Sequence, residues 1–145
     1  MYLRCVSIKG KEIPCEYRYW GEFDDTEYSP LVVGEEYLVY GFACVHNRID
    51  YLVYASGAVL WAPGFLFKVK NREIPPDWVL NLTVNDPSYS QLLDEFGIWL
   101  ICGYKTLAED FAHYVGVLER GKSDLQIFAR EKEKVENWWR ERKEG

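Results

Sequence analysis

Several motifs that mark common enzymes are missing from this chain. The 145 residues contain no GxGxxG loop, so the usual signature of dinucleotide binding is excluded. The stretch GVLERGKS (116–123) matches the spacing of a GxxxxGK[ST] phosphate loop, but it joins two predicted helices instead of following a strand, as such a loop requires. There is no GxSxG nucleophile elbow. The 4 cysteines form no CxxC pair, which excludes a zinc ribbon and a thioredoxin-type site. Catalysis would have to come from residues that only the fold brings together.

Histidine, the commonest general base near neutral pH, is scarce, with 2 in the chain. His46 falls in a predicted hairpin turn, where we expect an exposed side chain. His113 falls on the flank of a predicted amphipathic helix, where we expect partial exposure. Cys44 and His46 would share one strand face at i, i+2, but no family signature surrounds them. We therefore predict no catalytic residue.

Long apolar runs are also absent. No stretch approaches the ~18–20 apolar residues of a membrane-spanning helix. The N-terminal residues MYLRCVSIKGKEIPCEY lack the basic-then-apolar pattern of a signal peptide. We expect a cytoplasmic protein whose cysteines are reduced and buried.

Basic residues are fewer than acidic ones: the chain has 17 Lys and Arg and 23 Asp and Glu, which gives a net charge of −6. Nucleic acid is bound by basic side chains that neutralise phosphates. We therefore expect neither direct nucleic-acid binding nor attraction to an anionic membrane. The negative excess lies in residues 1–118, because the last 27 residues are nearly balanced in charge.

The pattern of apolar residues predicts a β-rich first half and a helical end. Alternation and turn residues predict short strands at 2–8, 15–20, 36–45, 49–55, 59–61 and 65–70. Residues 71–85 are predicted to be irregular because Pro75-Pro76 interrupts pairing. Together these segments predict a mostly antiparallel N-terminal sheet of four to six strands.

Three helices are predicted after residue 85. Asp86-Pro87 is an N-cap pair for a helix that ends at Gly97, and a buried strand follows at 98–102. Capping boxes at 106–109 and 123–126 predict helices to about residues 118 and 142. Apolar spacing predicts one buried stripe on each helix: Leu107, Phe111, Val115 and Leu118 on the first, and Leu125, Phe128, Val135 and Trp139 on the second. The sequence thus predicts one α+β domain over residues 1–145, with the C-terminal helices packed on one face of the sheet.

The residues that are abundant are aromatic, at 17% of the chain, and acidic. Residues 21–40 carry six carboxylates, no Lys or Arg, and several rings. Acids that steer a basic partner and rings that supply contact area are typical of a protein-binding surface. The predicted partner-binding residues are Trp20, Glu22, Phe23, Asp24, Asp25, Glu27, Tyr28, Glu35, Glu36 and Tyr37.

Two other interpretations of this segment stay open. Its acids could simply keep a surface loop solvated. Oxygen ligands at Asp24, Asp25 and Glu27 would suit Ca²⁺ or Mg²⁺, but the spacing of a calcium loop is missing. We predict no metal and no cofactor.

A further indication comes from spaced Tyr, Gly, Pro and Trp landmarks in GEEYLVYG (34–41), FKVKNREIPPDW (67–78) and ICGYKTL (101–107). With these landmarks, the chain resembles the bacterial immunity proteins of polymorphic and contact-dependent toxin systems. The resemblance implies a non-enzymatic inhibitor that binds one cognate toxin domain, often a nuclease. Such a toxin is basic because its substrate is polyanionic, so acids on the inhibitor would block its cleft.

Two alternatives to the inhibitor remain. The aromatic residues could line a cavity of a small-molecule-binding protein or enzyme. Trp138 and Trp139, on the last helix, could instead join copies of an oligomerising adaptor module. Oligomeric state does not follow from the sequence.

Overall fold

A computed structural model describes the whole chain, Met1–Gly145, and confirms the α+β class. Eight strands form two antiparallel sheets. The strands are β1 (Tyr2–Cys5), β2 (Glu36–Leu38), β3 (Gly41–Val45), β4 (Arg48–Ala55), β5 (Ala58–Pro63), β6 (Phe67–Asn71), β7 (Val79–Leu82) and β8 (Ile98–Gly103). The helices are α1 (Ser90–Phe96), α2 (Lys105–Glu109), α3 (Phe111–Leu118) and α4 (Lys122–Glu144).

The larger sheet is the centre of the molecule. Its order is β5-β4-β3-β8-β7, so the two strands that follow residue 78 complete a sheet begun by the first half of the chain. The smaller sheet has the order β2-β1-β6. Two hairpins, with two-residue turns at 46–47 and 56–57, join β3 to β4 and β4 to β5.

The two faces of β4 belong to two hydrophobic cores because side chains alternate along a strand. Tyr51 and Val53 pack with Leu3 and Phe67 of the smaller sheet. Leu52, on the opposite face, packs with residues of the helices. The helices therefore lie on one face of the larger sheet, as predicted, and the smaller sheet covers the other face.

Three strand predictions were wrong in detail. Residues 15–20 form no strand; Cys15–Tyr17 is a 3-10 turn that directly follows Pro14. The predicted strand at 36–45 is two strands in different sheets, which separate at Val39 and Tyr40. The segment predicted to be irregular contains β7, which pairs at the edge of the larger sheet with β8.

The helix predicted from residue 106 to 118 is broken at Asp110. Asp110 has an extended backbone, and its carboxylate accepts a hydrogen bond from the His113 backbone N–H, so it caps α3. Because of this break, the buried face of α3 is not the predicted apolar stripe; its buried residues are His113, Tyr114, Gly116 and Val117. His113 is therefore buried and Leu118 exposed, the reverse of what one continuous helix predicts.

The last helix keeps the predicted stripe, with Phe128, Val135 and Trp139 buried. Neither predicted capping box forms: Tyr104 and Gly121 occupy the N-cap positions of α2 and α4, without side-chain caps. No helix is both long enough and apolar enough to cross a membrane.

Candidate functional site

The β3–β4 hairpin supplies the floor of an apolar pocket. Antiparallel register places Ala43 opposite Asp50 and Val45 opposite Arg48. Because alternate residues share a face, these side chains all point from the larger sheet towards the helices. Asp50 is 4% exposed and is the one charged residue of the pocket lining.

The pocket has a volume of about 310 Å³. It is closed by the helices and by the loop before β2. Its aromatic walls include Trp61 of β5 and Tyr114 of α3, whose ring centroids lie 5.7 Å apart. Exposed side chains of Trp20, Phe96 and Leu118 stand at its mouth. The remaining lining residues are Ala43, Val45, Leu92 and Ile98.

Beneath the pocket, Asp50 belongs to a buried cluster of three charged side chains. Arg48 donates to both oxygens of Asp50, from Nε at 2.8 Å and from Nη2 at 3.2 Å. The same guanidinium forms an ion pair with Glu22 and donates to the Tyr17 carbonyl oxygen at 2.9 Å. Two carboxylates thus share one guanidinium, which leaves one negative charge uncompensated when both are ionised.

The two carboxylates respond to this arrangement in opposite ways. Burial raises the pKa of Asp50, Arg48 opposes this, and the charge of Glu22 adds to it, so the pKa stands above its ordinary value of 3.8. Burial also acts to raise the pKa of Glu22, but hydrogen bonds from Arg48 and Tyr28 outweigh it. The pKa of Glu22 is therefore held below its ordinary value of 4.5.

Trp20 is held at the mouth by an unusual backbone conformation. Its φ is +55° and that of Gly21 is +76°, so two successive residues are left-handed. This region is disfavoured for a bulky residue, and such strain concentrates at functional sites. The Trp20 ring lies 6.3 Å from that of Phe96 and 5.5 Å from the Arg48 guanidinium carbon.

On the other face of the same hairpin lies a broad, open groove. Its exposed apolar side chains are Ile49, Phe65 and Trp99. Trp99 Nε1 donates to the His46 carbonyl oxygen at 2.9 Å, which fixes the indole against the hairpin turn. Tyr17 packs on Phe65 with ring centroids 4.9 Å apart.

The hairpin turn connects the pocket mouth and the groove. His46 packs on Tyr19 at 4.5 Å, and Tyr19 lies 6.1 Å from Trp20. We use the name turn surface for the exposed apolar residues on the two sides of this turn. They are Trp20, Ile49, Phe65, Phe96 and Trp99.

The structure divides the predicted partner-binding residues into groups. Glu22 and Tyr28 are partly buried: Glu22 is paired with Arg48, and the Tyr28 hydroxyl donates a hydrogen bond to it. These contacts position the loop. The carboxylate of Glu22 is paired with Arg48 within the molecule, so it is not free to pair with a partner. Trp20, at 50% exposure, and Phe23, at 68%, have accessible side chains.

Asp24, Asp25 and Glu27, the other acids of this loop, are on the surface. Asp24 is paired with Arg18 at 2.7 Å but remains 73% exposed, and Glu27 is paired with Lys9. Asp25 is exposed and takes part in no ion pair. These three side chains lie on the same loop as Trp20 and Phe23.

Glu35, Glu36 and Tyr37 lie elsewhere in the fold. Glu35 precedes and Glu36 opens β2, an edge strand of the smaller sheet. Glu36 lines a groove with Arg142 and Lys143 of α4. None of their contacts joins them to the turn surface, so the ten predicted residues do not form one site.

The thiols and histidines form no recognisable nucleophile. Burial raises the pKa values of Cys5, Cys44 and Cys102, which makes their thiolates scarcer at neutral pH. Cys15 is exposed, contrary to the expectation of buried thiols. His46 is exposed in its turn, as predicted.

His113 was predicted to be partly exposed, but it is 2% exposed and lies between two partners. Its Nε2 is 2.8 Å from the Tyr104 hydroxyl, and its Nδ1 is 3.0 Å from Asp124 Oδ1. The network joins the start of α2 to α3 and α4.

Several residues of the site were missed from the sequence. Arg48 and Asp50 carried a signal, since two opposite charges at i, i+2 within the apolar strand RIDYLVYA must share one face. No such signal in the sequence marked Trp61, Phe96 and Trp99, because local sequence does not show which aromatic residues come into contact in the fold.

No group of three or more His, Cys, Asp or Glu side chains is arranged to hold a metal ion. Comparisons with protein-family models, with curated proteins and with solved structures found no match for the chain.

Proposed function

We propose that this protein is a non-enzymatic inhibitor that binds and neutralises a basic toxin domain, as an immunity protein does. The observation that carries the proposal is the turn surface next to the exposed acids of the 20–27 loop. Monomeric proteins seldom leave several large apolar side chains exposed together, and such patches serve as interaction sites.

The two kinds of residue have different roles in this proposal. Trp20, Phe23 and Trp99 supply buried contact area, and aromatic anchors of this kind dominate binding energy at interfaces. Asp24 and Asp25 attract the basic partner and raise the association rate. The net charge of −6 extends the attraction beyond the contact itself.

The burial of Trp139 weighs against the adaptor alternative. Trp139 is 4% exposed and packs against Tyr2 at a ring distance of 4.8 Å, so it serves the core of its own chain. Trp138 is half-buried beside it. These two tryptophans therefore offer little surface for a second copy.

The test is affinity capture from a lysate of the source cells, with the whole chain immobilised, at low and high salt. We expect a basic protein to be retained at low salt and released as salt rises. The retained protein is then assayed for nuclease or other toxic activity with and without the chain. Inhibition at a one-to-one ratio supports the proposal.

Matched variants locate the contact. We expect Asp24→Lys/Asp25→Lys to lower the association rate and Trp99→Ala to raise the dissociation rate. The controls are Glu133→Lys/Glu141→Lys on exposed positions of α4 and Ile74→Ala, which removes an exposed apolar side chain from the segment after β6. Equal capture by all variants, or a captured protein whose activity the chain leaves untouched, would rule out the proposal.

A further inference from the structure

We propose that the pocket between the β3–β4 hairpin and the helices binds a small organic ammonium ion, with its charged end at Asp50 and its apolar body against the aromatic walls. This inference does not depend on the proposed inhibitor function, since a free amine can be tested without any protein partner.

The first argument is the charge at the floor. Arg48, Glu22 and Asp50 bring two carboxylates and one guanidinium together below the pocket. Arg48 is the one cation that forms an ion pair with either Glu22 or Asp50, so two carboxylates are matched by a single positive charge. A buried net charge is costly unless it is paired, and an ammonium ion would pair it.

The second argument is the capacity of Asp50 for further hydrogen bonds. Arg48 uses one acceptor position on each oxygen of Asp50. An ionised carboxylate has about four such positions, so two remain for another donor. Asp50 lines the pocket, and an ammonium group has three N–H donors to offer.

The third argument is the character of the walls. Trp20, Trp61, Phe96 and Tyr114 surround the space above Asp50. Ring faces attract cations, and cages of aromatic rings beside a carboxylate are suited to alkylammonium groups. A neutral apolar body on the ammonium would fill the remaining volume of about 310 Å³, which is at the small end of ligand pockets.

The test compares three probes that share one ring and differ in charge: benzylamine, benzyl alcohol and benzoate. Binding to the full chain is measured by NMR titration at neutral pH. We expect benzylamine to bind at least about ten-fold more tightly than benzyl alcohol, because a hydrogen bond between charged groups is stronger than a neutral one. Benzoate is expected not to bind. Equal affinities for the amine and the alcohol, or no shift with any probe, would overturn the proposal.

Variants identify the site. Asp50→Asn should bring the amine-to-alcohol ratio close to one, whereas Glu36→Gln, which removes an exposed carboxylate from another groove, should leave it unchanged. Because Asp50 is buried and its substitution could unfold the chain, Trp20→Ala at the exposed mouth is a second variant. It should weaken benzylamine binding about three-fold or more, since it removes one cation–π contact. Unchanged affinity in Trp20→Ala, or a ratio preserved in folded Asp50→Asn, would show that the amine binds somewhere else.

Discussion

Arg48 and Asp50 lie two residues apart on β4 and form a two-pronged ion pair, with distances of 2.8 Å from Nε to Oδ1 and 3.2 Å from Nη2 to Oδ2. The strand geometry alone places them side by side. Glu22, 26 residues earlier in the chain, completes the cluster and thereby ties the aromatic loop to the central sheet. The cluster links the pocket floor to the surface that we propose for partner binding.

Replacing Arg48 with Met should destabilise the protein strongly. It leaves two carboxylates below the pocket without their cation, and breaking a buried pair from one side costs about 3–5 kcal/mol. Urea unfolding followed by tryptophan fluorescence measures the free energy of unfolding. Lys134→Met, which breaks the exposed pair with Glu131, should change it by less than about 1 kcal/mol. Similar losses in the two variants would contradict the burial argument.

Asp50 and Glu22 should give opposite pH dependences. The pKa of Asp50 is higher in the folded protein than its ordinary value of 3.8. Its contribution to the free energy of unfolding is therefore fully present below pH 3.8 and is lost as the pH rises through the pKa of the folded state. The pKa of Glu22 is lower in the folded protein than its ordinary value of 4.5. Its contribution to the free energy of unfolding is therefore fully present above pH 4.5 and is lost as the pH falls through the pKa of the folded state.

This contrast is measured against variants that cannot titrate. The free energy of unfolding of wild type minus that of Asp50→Asn should decrease as pH rises above 3.8. The same difference for Glu22→Gln should decrease as pH falls below 4.5. If both differences in the free energy of unfolding changed with pH in the same direction, the pKa values of Asp50 and Glu22 would not be shifted in opposite directions, and the prediction would be wrong.

Gly97 should resist substitution more strongly than Gly57. Both have positive φ, +67° and +80°, so alanine at either position should cost about 1–2 kcal/mol in backbone strain. A Cβ at Gly97 would also overlap the His46 ring, whereas nothing lies within 4 Å of one at Gly57. Displacing His46 breaks its packing on Tyr19, which adds about 0.5–1.5 kcal/mol.

Thermal or urea unfolding of Gly97→Ala and Gly57→Ala measures the difference directly. The His46 ring resonances should shift in the first variant and not in the second. Equal stabilities, together with an unchanged His46 signal, would mean that the hairpin turn and the end of α1 do not contact each other as described.

Tyr104→Phe should lower stability by about 1–3 kcal/mol, because it leaves the buried His113 Nε2 without its partner. The control is Tyr54→Phe, since the Tyr54 side chain is more than a third exposed and its ring still packs on Phe128. That change should stay within about 0.5 kcal/mol. Calorimetry of the two variants tests the prediction, and comparable losses would contradict it.

Much of the fold was predictable because periodicity and turn chemistry are local. The α+β class, the hairpin turn at His46, the buried strand at 98–102 and the stripe on α4 all follow from residues close together in sequence. The broken helix at Asp110 was not predicted, because its apolar spacing also fits one continuous helix. The edge strand β7 was missed since its partner β8 lies later in the chain.

For the candidate site too, some features follow from local sequence and others depend on distant contacts. By itself the sequence determined that the 20–27 loop is rich in acids and rings, that basic residues are few, and that no GxGxxG loop, GxSxG elbow or CxxC pair is present. Tertiary structure decided that Glu22 is paired internally, that Trp20 meets Phe96, and that Asp50 lies beneath an aromatic pocket. These outcomes depend on contacts between residues far apart in the chain, and no local pattern records which distant side chains will meet.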